Sequence, residues 1–120
     1  MPHPSDAAAD HLPLNPVVLE ILLALGGQPL HGYAVAHAVR TSSQGRVRLE
    51  TGPLYRHLKR LLDDRLIEEA AHKPADDDAR RGAYYRLTPL GRQVVAAESG
   101  RLSDVVTQAR RLGLAGEPGQ

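Results

Sequence analysis

The chain has no cysteine, no phenylalanine and no tryptophan, and four tyrosines make up its whole aromatic content. Without thiols there can be no disulfide, no thiolate metal ligand and no cysteine nucleophile. Without Phe or Trp, the core has to be built from Leu, Val, Ile and Ala. A hydrophobic content of 42% in 120 residues can supply that core for one modest domain. Long apolar runs are missing too. The longest, Val17 to Leu25, is interrupted by Glu20 and is too short to span a bilayer. No basic region leads into an apolar stretch at the N-terminus, so no secretory signal is read there. These absences together imply a soluble cytoplasmic protein with no membrane partner.

Catalytic and metal-binding patterns are lacking as well. The six histidines (3, 11, 31, 37, 57 and 72) form no HExxH and no pair four residues apart, so no metal site is expected outside one assembled across a dimer. There is no G-x-S-x-G and no glycine loop that would cradle phosphate. The acids fall in runs such as Asp63-Asp64 and Asp76 to Asp78, which suit solvent rather than a buried catalytic pair. The expectation is a protein that is not an enzyme and needs no cofactor.

What is present is order. Residues 1–14 carry Pro2, Pro4 and Pro13 among small and polar residues, and read as a flexible arm. Asn15-Pro16 is a helix start, because Asn caps and Pro suits the first helical position. Gly26-Gly27 stops that helix. Pro29 to Tyr33 leads into a second helix over about 32–40. Arg46 to Leu49 alternates polar and apolar, as a short strand or an extended lead-in does. Thr51 can cap a third helix, with Gly52 and Pro53 tolerable in its first turn. Leu54, Leu58, Leu61 and Leu62 give that helix one buried stripe. Residues 66–71 and 83–88 read as two strands of a hairpin. Thr88-Pro89 starts a last helix reaching about 112, and glycines 113, 116 and 119 mark a frayed tail.

The net charge of +1 says little, but its distribution says more. Arg40 to Arg65 holds seven Arg/Lys against three acids. Tyr55, Arg56, Lys59 and Arg60 lie away from the leucine stripe of the third helix. Arginine can bridge the major-groove acceptors of guanine, while Lys and Tyr more often hold phosphate. Taken alone, such a face can equally be a solvated basic surface. Three helices followed by a two-stranded wing make it a reading face, since that order is the winged helix-turn-helix. The wing loop is mixed: Lys73, Arg80 and Arg81 suit the DNA backbone or minor groove, whereas Asp76 to Asp78 do not. The fold class expected is therefore mainly α (α+β), a winged helix-turn-helix over 15–88. A dimerisation helix over 89–113 and a flexible tail over 114–120 follow it.

The last helix carries Val95, Leu102, Val105, Ala109 and Leu112 at spacings of seven, three, four and three. This is a heptad seam with Glu98 as its polar defect. The seam either folds back on its own domain or meets the same helix of a second copy. The second reading makes the protein a homodimer that binds an inverted-repeat operator in double-stranded DNA. Gly100 is expected to weaken the helix and to mark a bend. The rival reading is a winged helix used as a protein-interaction module, whose basic face docks an acidic partner.

Four stretches, LEILLAL at 19–25, PLHGYAV at 29–35, TGPLYRHLKRLLDDRLIEE at 51–69 and RRGAYYRLTPLGR at 80–92, together resemble the PadR family of bacterial transcriptional regulators. The last part resembles the subgroup with one dimerising helix. The resemblance implies a homodimeric repressor released by a small molecule or another signal. It places DNA contacts on Tyr33, Tyr55, Lys59 and the start of the third helix, Thr51, Gly52 and Pro53. Relatives read Ser-Pro-Gly-Thr-Leu-Tyr there, so Pro53 stands where they have a hydroxyl, and Thr51 is the available substitute. Some relatives stack flat drugs on aromatic residues at the dimer interface. With no Trp, no Phe and no aromatic after Tyr85, this chain lacks that means. An effector pocket, if there is one, is expected between the last helix and the winged domain, near Tyr84 or Tyr85.

Overall fold

The computed structural model describes residues 4–70 and 82–116. Its elements are α1 (Pro4–Ala9), α2 (Pro16–Ala24), β1 (Leu30–His31), α3 (Gly32–Ser42), α4 (Thr51–Asp63), β2 (Ile67–Ala70), β3 (Tyr84–Leu87) and α5 (Pro89–Arg111). The first three helices of the sequence reading are α2, α3 and α4, and the last is α5. Asn15 caps α2 as its side chain suggests, its Oδ1 accepting from the Val17 N–H at 2.8 Å with Pro16 in the first turn. Thr88 likewise caps α5. At α4 the cap differs from expectation. Glu50, not Thr51, takes that position, and no side chain accepts from the first turn.

The core is aliphatic, as the composition requires. Ile21 and Leu22 of α2, Val35 and Val39 of α3, Leu54, Leu58 and Leu61 of α4, and Val94 of α5 are all buried. Each buried Leu, Ile or Val stabilises the fold by about 1.5–3 kcal/mol relative to exposure. Leu66, Ile67 and Leu87 close the cluster from the sheet side, and Tyr85 joins them. Burial pushes the Tyr85 phenol up, with Tyr55 and Glu69 adding to the shift.

The sheet has three strands in the order β1-β3-β2, not two. Leu30 and His31 pair antiparallel with Tyr85 and Tyr84. On the other side β3 pairs with β2, Ile67 opposite Leu87 and Glu68 opposite Arg86. Two residues are too few to leave a period-2 signature, so β1 was invisible as a pattern. Residues 46–50 run without a strand partner, which makes them the extended lead-in rather than a strand. The wing loop, with Lys73, Arg80 and Arg81, lies outside the described residues.

Helices α3, α4 and α5 end in the same way. The first residue past each cap is left-handed: Gln44 at φ 57°, Arg65 at φ 61° and Gly113 at φ 71°. In each case two reverse hydrogen bonds close the end, as where Leu66 donates to Leu61 at 3.0 Å and Arg65 to Leu62 at 3.0 Å. The Arg65 turn carries α4 straight into β2. Thr88 then binds that junction, its hydroxyl donating to the Arg65 carbonyl at 2.7 Å and accepting from Gly91 N–H at 3.0 Å. Gly91 packs so closely that a Cβ there would fall on the Leu66 carbonyl oxygen.

Two features of the chain ends differ from the sequence reading. Over the described part of residues 1–14 there is not an arm without structure. Residues 4–9 form α1, and Ala8 is buried in the core cluster. Glu98 is not a defect in a seam. It is only 1% exposed, and its carboxylate accepts from the Leu14 backbone N–H at 2.8 Å and from the Arg101 guanidinium through both oxygens. The acid therefore anchors the segment after α1 onto α5. Gly100 makes no break, and α5 runs through it for 23 residues, about 35 Å.

Gly91→Ala should destabilise the fold by about 3 kcal/mol, because the neighbour it meets is backbone and cannot turn aside; thermal melting measures it. Glu98 is held below the usual carboxylate range by the Arg101 hydrogen bond first, with the Leu14 amide helping against burial. A lowered folded pKa means that this contribution is complete above the ordinary carboxylate range and is lost as pH falls through the lowered value. Leu14 amide exchange should therefore be protected at neutral pH, and Glu98→Ala should remove the protection there. An unprotected Leu14 amide in the unmutated protein would contradict this anchor.

Candidate nucleic-acid interface

The outer face of α4 is built by the same spacing that buries its leucines. Thr51, Gly52, Tyr55, Arg56, Lys59 and Arg60 are exposed, and Pro53 is half-buried. The first hydrogen bond of the helix is Leu54 N–H to Glu50 at 2.9 Å. The Thr51 and Gly52 N–H groups therefore have no acceptor within the helix, and Pro53 has no N–H to satisfy. A helix start of this kind favours an anion. The expected sequence departure at Pro53 thus leaves helix entry intact.

Tyr33 stands at the first turn of α3 and is 81% exposed. Tyr55 reaches across from α4, and a Cβ placed on Gly32 would lie 2.8 Å from its hydroxyl. Gly32 thus leaves room for the tyrosine that α4 presents. His31 organises this corner. Its Nδ1 accepts from the Ala34 N–H at 3.3 Å, and its ring meets Tyr84 edge-on at 5.5 Å and stacks with Tyr33 at 6.5 Å. The structure therefore brings Tyr33, Tyr55 and the α4 cations to one side of the molecule. His31 and Gly32 were missed as supports, because a cap histidine and a glycine making room leave no periodic signal.

The cations differ in their partners. Lys59 pairs with Asp63 and Arg60 with Asp64, each at 3.3 Å and one helical turn on. Exposed pairs of this type are worth about 0.3–0.5 kcal/mol, so a phosphate readily displaces them. Arg56 has no ion pair among the described residues. Of the expected pocket walls, Tyr85 is in the core. A described cleft of about 500 Å³ does lie where the start of α5 meets β2 and the end of α4, lined by Leu62, Ile67, Thr88, Pro89 and Leu90, with neither Tyr84 nor Tyr85 in its walls. Another, of about 350 Å³, is bordered by His11, Leu14, His57 and Arg60.

The expected seam on α5 divides. Val95 is half-buried and packs on its own domain's core. Leu102, Val105 and Leu112 are exposed, with Ala109 half-buried between them, and Val106 adds a residue that the heptad spacing left out.

Comparison with known proteins agrees with this geometry. Residues 21–97, more than half of the chain, match the model of the transcriptional regulator PadR-like family. The chain belongs to the PadR-like family. PadR regulators bind DNA, and theirs is a family of transcriptional regulators rather than of enzymes. Among solved structures, a PadR family transcription regulator from hypervirulent Clostridium difficile R20291 is similar at 19% identity and TM-score 0.66, covering 82% of this chain and 98% of that one. A transcriptional regulator from Clostridium thermocellum is similar at 20% identity and TM-score 0.64, covering 79% and 90%. The hsRosR-S4 complex structure, with RosR from H. salinarum, is similar at 24% identity and TM-score 0.63, covering 86% of this chain and 80% of that one. At these identities the solved structures speak for the fold. No curated protein matches the chain. No described helix is long and apolar enough to cross a membrane.

The loose acid pairs of this PadR-like chain lead to one expectation. Asp63→Asn frees Lys59 and removes a carboxylate from the α4 face. Duplex affinity should rise severalfold at low salt, with a smaller gain at 0.2 M, as measured by fluorescence anisotropy. An unchanged affinity at both salts would mean that Lys59 does not reach the duplex.

Proposed function

We propose that the protein is a homodimeric, sequence-specific transcriptional repressor that lays α4 of each protomer in the major groove of an inverted-repeat operator. The observation that carries this reading is the outward face of α4, where Tyr55, Arg56, Lys59 and Arg60 stand beside first-turn N–H groups that have no acceptor within the helix. In this reading the first-turn N–H groups and Thr51 hold a phosphate, with Tyr33 and Tyr55 placed on the flanking backbone. Arg56 reads a base edge, Lys59 and Arg60 hold phosphates, and the wing residues Lys73, Arg80 and Arg81 grip the duplex alongside. Repression, and release by a small molecule or another signal, follow the family resemblance. The working compartment is the cytoplasm, where bacterial DNA lies.

The dimer is supported by the exposed apolar face of α5. Leu102, Val105, Val106 and Ala109 fall within one side of the helix, a stripe that stays against water until another apolar surface covers it. The same face on a second copy is self-complementary under a two-fold axis. Truncation after Arg101, which keeps the partner of Glu98 and removes Leu102 onward, should give monomers by sedimentation equilibrium and abolish operator binding. A full-length monomer at micromolar concentration would defeat the dimer.

Selection of bound genomic fragments tests the rest. Two α4 helices on one face of the duplex read half-sites about one turn, ~34–36 Å, apart. The selected fragments should share an inverted repeat with that spacing. Arg56→Ala should relax base preference and cost about 1–3 kcal/mol on the operator. Lys59→Ala should weaken operator and random duplex alike and lower the salt slope by about one. Equal losses on operator and random duplex for both variants would leave Arg56 without a reading role.

A further inference from the structure

We infer that the cleft between α3 and the extended segment leading into α4 is a second phosphate seat, which grips the DNA backbone beside the groove that α4 enters. The inference deepens the DNA-binding reading and rests on it. The cleft has a volume of about 320 Å³. Tyr33, His37 and Arg40 reach it from one face of α3, at helical spacings of four and three. Arg48 and Glu50 line it from the lead-in. Two arginines and one glutamate thus share its walls.

Neither arginine has a use within the described fold. Arg40 and Arg48 make no ion pair and no side-chain hydrogen bond among the described residues. Arg46, between them in sequence, does not line the cleft, and its guanidinium donates to Gln44 Oε1 at 3.4 Å. A guanidinium offers a planar fork of donors that fits phosphate oxygens. Two such forks on one open cleft make an anion seat.

Position selects the duplex backbone over a free anion. Arg48 is three residues before Thr51, at most about 10 Å of extended chain. Tyr33 lines the cleft and also borders the corner that Tyr55 shares with Gly32. The cleft therefore begins one residue from the Gly32–Tyr55 contact with α4, and a strand leaving the groove there passes over Arg48 and Arg40. Glu50 is the one opposing charge. It holds the cap position of α4 without making a side-chain cap bond, so its carboxylate moderates the seat without being needed for the helix start.

The test uses full-length protein, the selected operator and a random duplex, with anisotropy recorded from 50 to 200 mM salt. Removing a side chain that neutralises one phosphate lowers the slope of log affinity against log salt by about 0.9. Arg40→Gln and Arg48→Gln should each lower it by about that much and together by about two, equally on operator and random duplex. Arg46→Gln should leave the slope unchanged, and Glu50→Gln should tighten both duplexes severalfold. Unchanged melting curves confirm that each variant keeps the fold. If Lys59→Ala lowers the slope while the Arg40/Arg48 double variant does not, this seat is refuted and the α4 reading stands. If no duplex binds in a salt-dependent way, the DNA reading fails with it. Saturable binding of inorganic phosphate that needs Arg40 and Arg48, with no change in the duplex slope, marks a free-anion site and also overturns the inference.

Discussion

The Thr88 hydroxyl joins the end of α4 to the start of α5. It donates to the Arg65 carbonyl, where α4 has just ended, and accepts from Gly91, where α5 begins. Thr88 N–H also donates to the Leu66 carbonyl at 3.1 Å, the oxygen against which Gly91 is pressed. Backbone meets backbone here, with no flexible side chain between them. The angle between α4 and α5 is therefore set by short contacts rather than by a pliable core. In a two-fold assembly that angle decides how far apart two α4 helices stand. In the proposed dimer, a loose junction would let the half-site distance drift.

The second anchor of α5 is polar and buried. Glu98 is buried, where an unpaired carboxylate would be costly. Arg101 and the Leu14 amide supply its partners, and among the described residues no buried side-chain polar atom lacks a partner. An apolar residue at position 98 would pack as well but could not fix the position of residue 14. The acid thus gives the N-terminal segment a defined seat on α5, which burial of Ala8 alone would not specify.

Past Arg101 the character of α5 changes. Its first half is integrated into the domain through Gly91, Val94 and Glu98, and its second half projects an apolar stripe into solvent. The basic side of the molecule is likewise divided. The α4 face meets the first turn of α3 at Tyr33 and Tyr55, and the cleft with Arg40 and Arg48 extends it. Among the described residues each cation there is unpaired or weakly paired, so the surface owes little fold stability to its ion pairs.

Local signals by themselves determined helices α2 to α5 and the outward face of α4. Asn15-Pro16 and Thr88-Pro89 mark two starts through hydrogen bonds made within three residues, and the leucines at 54, 58 and 61 define a buried stripe by their spacing alone. The spacing that hides those leucines exposes Tyr55, Arg56, Lys59 and Arg60, so the candidate site was legible from the same pattern. The two-residue β1 was not, because its identity lies in pairing with Tyr84 and Tyr85, more than fifty positions away. The role of Gly32 depends on a ring from another helix, and that of Gly91 on a carbonyl twenty-five positions earlier. Glu98 read as a flaw in a heptad because its partner is a backbone amide at residue 14, which no side-chain pattern reports. Val95 and Leu102 looked alike along the helix axis, and only the packing of the domain decided that one is covered and the other left to water. Propensity, capping and periodicity act within a turn or two of chain, whereas pairing, close approach and burial depend on which distant segment arrives.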